Sequence, residues 1–394
     1  MHPLATHDIL VIGAGPAGIA TAVALQQRGL SYVVYEGANI AGSTWNSLYP
    51  TLKLNTTRFY SHMTGMRFPL RDGIFPSGRN YHDYLLRYVA KHQPNIHYNV
   101  DVFDVRPEGN LWRVESNLGV EYYKAVISAT GIWGRPIMPP IEGMETFAGC
   151  LIHARDFTGA EQVTGQRVLV VGNGPSGIDI AVASTTTAKH VSLGVRTGVM
   201  LKRHYPFGLP THAWMMIGEW LPKTLCQWLL RFVGKQDFGD ITRYGIPTSK
   251  TAITAYQGTE LLNAVKAGKV HPVAAPIRFE GEVAILADGT HLPVDTVIMA
   301  TGYEPVLHNY LKIRMEYNAT FFEASEPCQY DVGPNGQRGF PMLDRTQHPN
   351  GREVQGYKGL YVVGVWYKGK GAMYNFNVEA EIAAQQIEKY LTSP

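Results

Sequence analysis

Short apolar runs of four to seven residues alternate along this chain with longer runs of helical spacing. Such short runs, with few charged residues, are typical of buried parallel strands. Helical segments follow several of them, which is the order of βαβ units in an α/β fold. We therefore predict strands at Ile9–Ile12, Tyr32–Tyr35, Ala125–Ala129, Arg167–Val171, His190–Val195, Val297–Ala300 and Gly359–Val365, and helices at 81–92 and Val378–Leu391.

The stretch from Ile96 to Val126 has a different pattern, in which polar and apolar positions alternate. Gly109-Asn110 and Asn117-Leu118-Gly119 interrupt it and predict turns between antiparallel strands. Asp288-Gly289 predicts another hairpin. We expect small antiparallel sheets beside the parallel ones.

The first apolar strand runs directly into a glycine-rich turn and then a helix. Glycine at these places permits a tight turn, close approach of a pyrophosphate, and close helix–strand packing. The helix N-terminus offers free N–H groups to phosphates. Glu36 follows Gly13 by 23 residues, which suits a carboxylate that binds ribose hydroxyls. We predict a dinucleotide site rather than a turn without a ligand, with Gly13, Gly15, Pro16, Ala17, Gly18 and Glu36.

The same pattern returns after the strand at Arg167–Val171. Here the strand that follows ends in Arg196-Thr197, where the first unit has a carboxylate. A cation suits a ribose 2′-phosphate, which a carboxylate would repel. The alternative for Arg196 is a solvated surface charge. We predict an NADPH site with Gly172, Asn173, Gly174, Pro175, Ser176, Gly177, Arg196 and Thr197.

Most of the other candidate cofactor residues lie in loops that follow strands, where ligands of such sheets bind. One loop carries Gly42-Ser43-Thr44-Trp45, and two Ala-Thr-Gly turns end the strands near 128 and 299. Two interpretations of Trp45 are open: an aromatic residue of the hydrophobic core, or a residue that contacts the cofactor. The additional candidates are Gly42, Thr44, Trp45, Val102, Thr130, Gly131, Thr301, Gly302 and Tyr303.

Composition excludes several classes of protein. The chain has 394 residues, 45% of them hydrophobic and 17% charged, as in ordinary globular proteins. A net charge of +3 gives no reason to expect nucleic acid. Its three cysteines are scattered, so we expect no metal site and no redox disulfide. The same cysteine pattern favours a reducing cytoplasm. We also expect no membrane span and no signal peptide.

Two dinucleotide sites in one chain are the layout of a flavoprotein oxidoreductase, and further motifs resemble flavin-containing monooxygenases. Phe147, Gly149, His153 and Phe157 fit the fingerprint of that family. The Ala-Thr-Gly-Tyr at 300–303, the Gly-Ser-Thr-Trp loop and Arg196-Thr197 are similar to its other signatures. In the family, the histidine of the fingerprint lies near the domain junction, and we do not expect His153 to be catalytic.

The resemblance also separates branches of the family. Baeyer–Villiger monooxygenases have Trp where this chain has Phe157. Asn55 matches the asparagine beside the flavin in the branch that oxidises amines and sulfides. The stretch from Gly239 to Gly289 resembles the plant auxin-forming branch, which decarboxylates an indole 2-oxo acid. That branch usually has His where this chain has Asn55.

The resemblance implies that NADPH reduces FAD and that reduced FAD binds O₂ as a C4a-hydroperoxide. This species transfers one oxygen atom to an amine nitrogen or a sulfide sulfur of a small organic substrate. Asn55 is the expected catalytic residue, as a hydrogen-bond donor to the adduct or to the bound oxygen. Decarboxylation of a 2-oxo acid and Baeyer–Villiger oxidation are alternatives. An NADPH oxidase or redox sensor, and a flavin disulfide reductase, are alternatives from other classes.

The order of the motifs implies two Rossmann-like dinucleotide-binding domains, with the NADPH domain inserted into a discontinuous FAD domain. We expect FAD-binding segments at 1–162 and 293–394 and an NADPH-binding domain at 163–292. A homodimer is a further expectation.

Overall fold

The computed structural model describes residues 7–196, 198, 200–202, 206–209, 214, 221–248, 255–304, 307–313, 331–332, 338–339, 343, 346, 351–364 and 371–393. The described strands are β1 Ile9–Ile12, β2 Tyr32–Glu36, β3 Ile96–Tyr98, β4 Val102–Glu108, β5 Leu111–Ser116, β6 Gly119–Tyr123, β7 Ala125–Ser128, β8 Arg135–Pro136, β9 Cys150–His153, β10 Arg167–Val171, β11 His190–Val195, β12 Met200–Lys202, β13 Ala255–Gln257, β14 His271–Ala274, β15 Pro276–Glu280, β16 Val283–Leu286, β17 His291–Pro293, β18 Thr296–Met299, β19 Tyr303–Glu304, β20 Asp331–Val332, β21 Arg338–Gly339, β22 Glu353–Val354 and β23 Tyr357–Val362.

The described α-helices are α1 Pro16–Gln27, α2 Ser43–Asn46, α3 Arg58–Ser61, α4 Gly78–His92, α5 Pro175–Ser184, α6 Lys223–Phe238, α7 Thr259–Lys266, α8 Leu307–Tyr310 and α9 Ala372–Thr392. Short 3₁₀ helices lie at Leu70–Asp72, Met144–Thr146, Ala154–Asp156, Ala160–Val163, Pro206–Gly208 and Ile241–Tyr244.

The chain divides into two compact units. The first unit comprises Met1–Ser47, Thr56–Arg135 and Tyr303–Pro394. The second comprises Leu48–Asn55 and Pro136–Gly302.

A six-stranded sheet in the order β22-β23-β7-β1-β2-β3 forms the centre of the first unit. Strand β1 pairs in parallel with β2 on one side and β7 on the other, and all four of its residues are buried. Helices α1 and α9 pack together beside this sheet. The antiparallel sheet β4-β5-β6 belongs to the same unit and has the predicted turns at Gly109-Asn110 and Asn117-Leu118.

The second unit repeats this plan with a five-stranded parallel sheet in the order β14-β11-β10-β18-β9. Side chains of β10 alternate between two cores: Val168 and Val170 face one, Leu169 and Val171 the other. The second of these cores also contains Phe279 of the antiparallel sheet β15-β16-β17. The hairpin predicted at Asp288-Gly289 joins β16 to β17.

The boundaries of these units differ from the predicted domain limits at 162 and 292. Strand β9 pairs with β18 residue by residue, from Thr296 opposite Cys150 to Met299 opposite His153. A central parallel strand needs a neighbour on each side, and β10 has β11 on one side and β18 on the other. Residues 136–162 and 293–302, expected in the FAD segments, therefore belong to the second unit.

Candidate functional site

The turn between β1 and α1 has the geometry of a dinucleotide site. Gly13 has a φ of +100°, and a Cβ there would lie 2.9 Å from the carbonyl oxygen of Ala129. A Cβ on Gly18 would lie 1.9 Å from the carbonyl oxygen of Gly13, so only glycine lets the helix approach the strand. A Cβ on Gly15 would meet no atom within 4 Å. This backbone leaves open space in front of Gly15, where the sequence places a pyrophosphate.

The N-terminus of α1 is available to an anion. Gly15 is the N-cap, no side chain caps the helix there, and Pro16 begins it. The first N–H groups of a helix have no partner within the helix and present partial positive charge. This helix end therefore suits a negatively charged phosphate.

The carboxylate of Glu36 is held at the end of β2. It accepts hydrogen bonds from the N–H of Ala14 at 2.6 Å, the N–H of Ala38 at 3.0 Å and the hydroxyl of Ser43 at 3.3 Å. Only 8% of Glu36 is exposed. Because donors from the turn after β1, the loop after β2 and the start of α2 converge on it, the carboxylate has a fixed position beside the glycine-rich turn.

A cavity of about 540 Å³ opens in the first unit over this turn. Its wall contains most of the predicted residues that belong to the first unit: Gly13, Gly15, Pro16, Ala17, Glu36, Gly42, Thr44, Trp45, Val102, Thr130 and Gly131. Gly18 is not in the wall, because its role is to pack α1 on β1. The sequence therefore identified one connected surface from residues far apart in the chain.

The wall also contains residues that sequence reasoning missed. Two of the aromatic ones are Trp133, which is 38% exposed and follows Thr130-Gly131, and Phe376, which lies in the first turns of α9. Their positions after a strand and near a helix N-terminus were a usable signal. The remaining missed residues are Ile12, Tyr35, Gly37, Ser43, Val100, Asp101, Phe103, Ala129, Ile132, Asn309, Tyr310 and Gly364.

Trp45 is part of an aromatic cluster at the cavity. Its ring lies edge-on to Tyr81 at 4.5 Å and edge-on to Trp133 at 5.6 Å between centroids. Trp45 is 6% exposed and lines the cavity, so it has both the core role and the wall position considered for it. Edge-to-face contacts of this kind fix the ring planes.

A buried ion pair supports the part of the wall that contains Gly364. Arg352 and Glu379 are 1% and 0% exposed, and their closest N and O atoms are 2.7 Å apart. The other carboxylate oxygen of Glu379 accepts the N–H of Gly364 at 2.6 Å. This links α9 to the chain just after β23, where Gly364 meets the cavity.

The second glycine-rich turn, between β10 and α5, is a close copy of the first. Gly172 has a φ of +113°, and its Cβ would lie 2.5 Å from the carbonyl oxygen of Ala300. A Cβ on Gly177 would lie 1.9 Å from the carbonyl oxygen of Gly172. Gly174 caps α5 without a side-chain bond, Pro175 and Ser176 begin the helix, and Asn173 is buried in the turn. The N-terminus of α5 is therefore suited to phosphate, like that of α1 in the first unit.

Arg196 follows directly after β11, the position equivalent to Glu36 at the end of β2. Its side chain is exposed and therefore accessible to a ligand. Thr197, its predicted partner, lies outside the described residues.

The turn at Thr301-Gly302 belongs to the second unit, whereas the domain prediction put it in an FAD segment. It follows β18, so Ala300 faces Gly172 as Ala129 faces Gly13. The hydroxyl of Thr301 donates to the carbonyl oxygen of Ile137. Tyr303 begins β19 in the first unit.

The ring of His153 forms hydrogen bonds with the backbone on both of its nitrogens. Its Nδ1 accepts the N–H of Arg155, and its Nε2 lies 3.1 Å from the carbonyl oxygen of Gly302. Burial lowers the pKa of His153, so the ring is neutral and its Nε2 donates to that carbonyl. Both ring nitrogens are used within the fold, in agreement with a non-catalytic residue.

Asn55, the predicted catalytic residue, lies in the segment Leu48–Asn55 of the second unit and is exposed. It is not among the residues that line the cavity of the first unit.

The described residues contain no cluster of three or more His, Cys, Asp or Glu side chains able to hold a metal ion. No helix in the part of the chain that the structure describes is long and apolar enough to cross a membrane. Cys150 is an exposed free thiol.

Comparisons with known proteins agree with this geometry. Residues 10–212 match the family described as pyridine nucleotide-disulphide oxidoreductase. The chain is 28% identical over 381 residues to the probable indole-3-pyruvate monooxygenase YUCCA8 of Arabidopsis thaliana, covering 91% of this chain and 84% of that protein.

Two solved structures share the fold. A flavin-containing monooxygenase from Stenotrophomonas maltophilia has a TM-score of 0.68 at 23% identity, covering 98% of this chain and 99% of that one. Cyclohexanone monooxygenase from Rhodococcus, bound to NADP⁺, has a TM-score of 0.71 at 18% identity. The match covers 98% of this chain and 85% of that one. The comparisons confirm the resemblance to flavin-containing monooxygenases, the two-domain Rossmann-like fold, the enzyme class, and FAD and NADPH as its cofactors.

Proposed function

The chain belongs to the pyridine nucleotide-disulphide oxidoreductase family, and from that premise we propose how this flavin monooxygenase works. It uses NADPH and O₂ to insert one oxygen atom into a soft nucleophile, an amine nitrogen or a sulfide sulfur. The substrate is a small organic molecule, and the reaction needs no nucleophilic side chain and no metal.

One observation carries the proposal: the two glycine-rich turns have the same backbone geometry but differ in the charge that follows. Glu36 is a held, nearly buried carboxylate, whereas Arg196 is an exposed cation. A carboxylate binds ribose hydroxyls and a cation binds a 2′-phosphate. Two electron carriers with different riboses, FAD and NADPH, account for this difference.

The cavity of the first unit fits FAD. The open space at Gly15, the uncapped end of α1 and the carboxylate of Glu36 suit a pyrophosphate and a ribose. The aromatic wall at Trp45 and Trp133 suits a flat ring system and limits the access of water. When bound, reduced FAD supplies the oxygen chemistry, and the protein binds, orients and shields it.

We assign to Asn55 the role of hydrogen-bond donor during oxygen transfer. A carboxamide N–H₂ can stabilise developing negative charge without exchanging a proton. The exposed position of Asn55, outside the core of its unit, is compatible with contact to a ligand.

A second candidate function is the oxidative decarboxylation of a 2-oxo acid. The similarity to relatives named as probable indole-3-pyruvate monooxygenases favours it. Two of these relatives match 91% and 96% of this chain. Asn55 favours the first candidate, because the resemblance puts asparagine there in amine- and sulfide-oxidising enzymes.

A substrate screen separates these functions. Purified FAD-loaded enzyme is given NADPH with a tertiary amine, an aryl methyl sulfide or indole-3-pyruvate, and NADPH use, peroxide and products are measured together. An N-oxide or sulfoxide supports the first function, and the acid shortened by one carbon supports the second. NADPH use that yields only peroxide with every substrate contradicts both and favours an NADPH oxidase.

The cytoplasmic location and the homodimer stay predictions. Cell fractionation and light scattering of the purified protein test them.

A further inference from the structure

Eight residues, Leu48–Asn55, belong to the second unit although the chain before and after them belongs to the first. The chain leaves the first unit after Ser47 and returns to it at Thr56. This segment ends in Asn55. What holds the segment therefore determines where Asn55 lies.

Tyr49 anchors the segment in the core of the second unit. Its side chain is 6% exposed and lies edge-on to Phe157, with ring centroids 6.5 Å apart. Leu52 packs against the same core. The hydroxyl of Tyr49 donates to the carboxylate of Asp179 over 3.0 Å. The anchor thus combines an apolar contact with one directed polar contact.

Asp179 connects this anchor to the second dinucleotide motif. It lies in α5, whose first turn carries Pro175 and Gly177 of that motif. Burial raises the pKa of Asp179 to about 6, and nearby Glu260 adds to the shift, whereas the bond from Tyr49 opposes it. Since burial disfavours the carboxylate, the hydroxyl stabilises a group that the apolar surroundings penalise.

We propose that Tyr49 and Asp179 are a positioning pair for oxygen transfer, which holds the segment carrying Asn55 on the helix of the second dinucleotide motif. The proposal rests on the function proposed above for Asn55. Neither residue contacts the reacting atoms; both act through the backbone of the segment.

The test compares Tyr49→Phe, Asp179→Leu and Asp179→Asn with wild type. Tyr49→Phe keeps the ring in the core and removes only the hydroxyl, so the variant should fold. Asp179→Asn keeps an acceptor for the hydroxyl and should restore the wild-type behaviour that Asp179→Leu loses. Tyr244→Phe is the matched control, because Tyr244 packs against the same core and is not in the segment.

The first readout is hydrogen–deuterium exchange of the amides in 48–55, which does not depend on activity. We expect about tenfold faster exchange in Tyr49→Phe and Asp179→Leu, the factor that corresponds to about 1.4 kcal/mol. Asp179→Asn and Tyr244→Phe should stay near wild type.

The second readout is the amount of peroxide formed per NADPH consumed, in the presence of a substrate that the wild type oxygenates. The rate of flavin reduction by NADPH without oxygen is measured as well. We expect more peroxide in Tyr49→Phe and Asp179→Leu at an unchanged rate of reduction. If either the exchange rates or the peroxide yield of both variants remain at the wild-type value, the proposal is wrong. If Tyr244→Phe behaves like Tyr49→Phe, the effect is general loosening and the proposal is also wrong.

This failure is distinguishable from failure of the proposed function. A wild-type enzyme that oxygenates no substrate contradicts the function, while the exchange rates still report whether the pair holds the segment.

Discussion

At the scale of single residues, we expect Glu36 to determine the selectivity of the first dinucleotide site. Its carboxylate is already bonded by three donors, so a ribose would meet an acceptor that needs little reorganisation. The spacing from Gly13 predicted this residue, because an end-of-strand carboxylate is a local feature of the sequence. The donors at Ala14 and Ala38 were not predictable, because backbone N–H groups carry no sequence signal. The third donor is the hydroxyl of Ser43.

Glu36→Gln should weaken FAD binding about tenfold or more, since charge-assisted hydrogen bonds contribute roughly 1.5–3 kcal/mol. Titration of the apoprotein with FAD, followed by flavin fluorescence, measures the effect. Glu388→Gln, a carboxylate exposed on α9, is the control and should bind FAD like wild type. Equal affinity of Glu36→Gln and wild type would show that the first site is misassigned.

Arg196 should determine the choice between NADPH and NADH. Removing the guanidinium in Arg196→Ala should raise the KM for NADPH about tenfold and leave that for NADH nearly unchanged, because only NADPH has the 2′-phosphate. Steady-state kinetics with both nucleotides measure the ratio. Arg243→Ala, another arginine with an exposed side chain in the second unit, is the control. A wild type without preference for NADPH would contradict the assignment.

Asn55→Ala should separate the two half-reactions. Flavin reduction by NADPH without oxygen should proceed almost normally, because it needs only the nicotinamide and the flavin. Oxygen transfer should fall, with more peroxide and less product, since loss of one such donor typically costs about 2.7–4 kcal/mol. Stopped-flow absorbance follows both steps. If reduction slows as much as oxygenation, Asn55 has a structural role only.

The glycine-rich turns are the features at the scale of elements where sequence and structure agree in detail. Strands β1, β10 and β11 have their predicted bounds, because short buried runs between a turn and a helix leave little freedom. Helices α4 and α9 begin earlier than predicted, at Gly78 and Ala372. The first turn of α4 has no apolar residue, so periodicity could not mark it, and its signal was the N-cap Ser77.

Alanine substitutions at two glycines of the first turn should affect different properties, stability at Gly18 and FAD binding at Gly15. Gly18→Ala puts a Cβ 1.9 Å from a backbone oxygen, so it should lower the melting temperature of the apoprotein. Gly15→Ala meets no protein atom within 4 Å, so it should leave apoprotein stability unchanged and weaken FAD binding. Melting curves and FAD titration of both variants measure this. Full FAD affinity in Gly15→Ala would contradict a pyrophosphate at that turn.

The pairing of strands is what the sequence could not provide at the scale of the whole molecule. β9 and β18 are far apart in the chain, and nothing in either run indicates that they pair. The assignment of Leu48–Asn55 to the second unit has the same cause, since it depends on a core contact of Tyr49 with a distant segment. Trp133 was missed because its loop has no periodicity, and Gly364 because the predicted strand Gly359–Val365 is longer than β23, which ends at Val362.

The fold alone does not determine the reaction, because one fold can support several different chemistries. The central claim is oxygen insertion at the expense of NADPH. Its most direct test gives the FAD-loaded enzyme isotope-labelled O₂, NADPH and the substrate found in the screen, and analyses the product by mass spectrometry. We predict one labelled oxygen atom per product and one NADPH consumed for each. Product without label, or NADPH consumption recovered entirely as labelled peroxide, would contradict the claim.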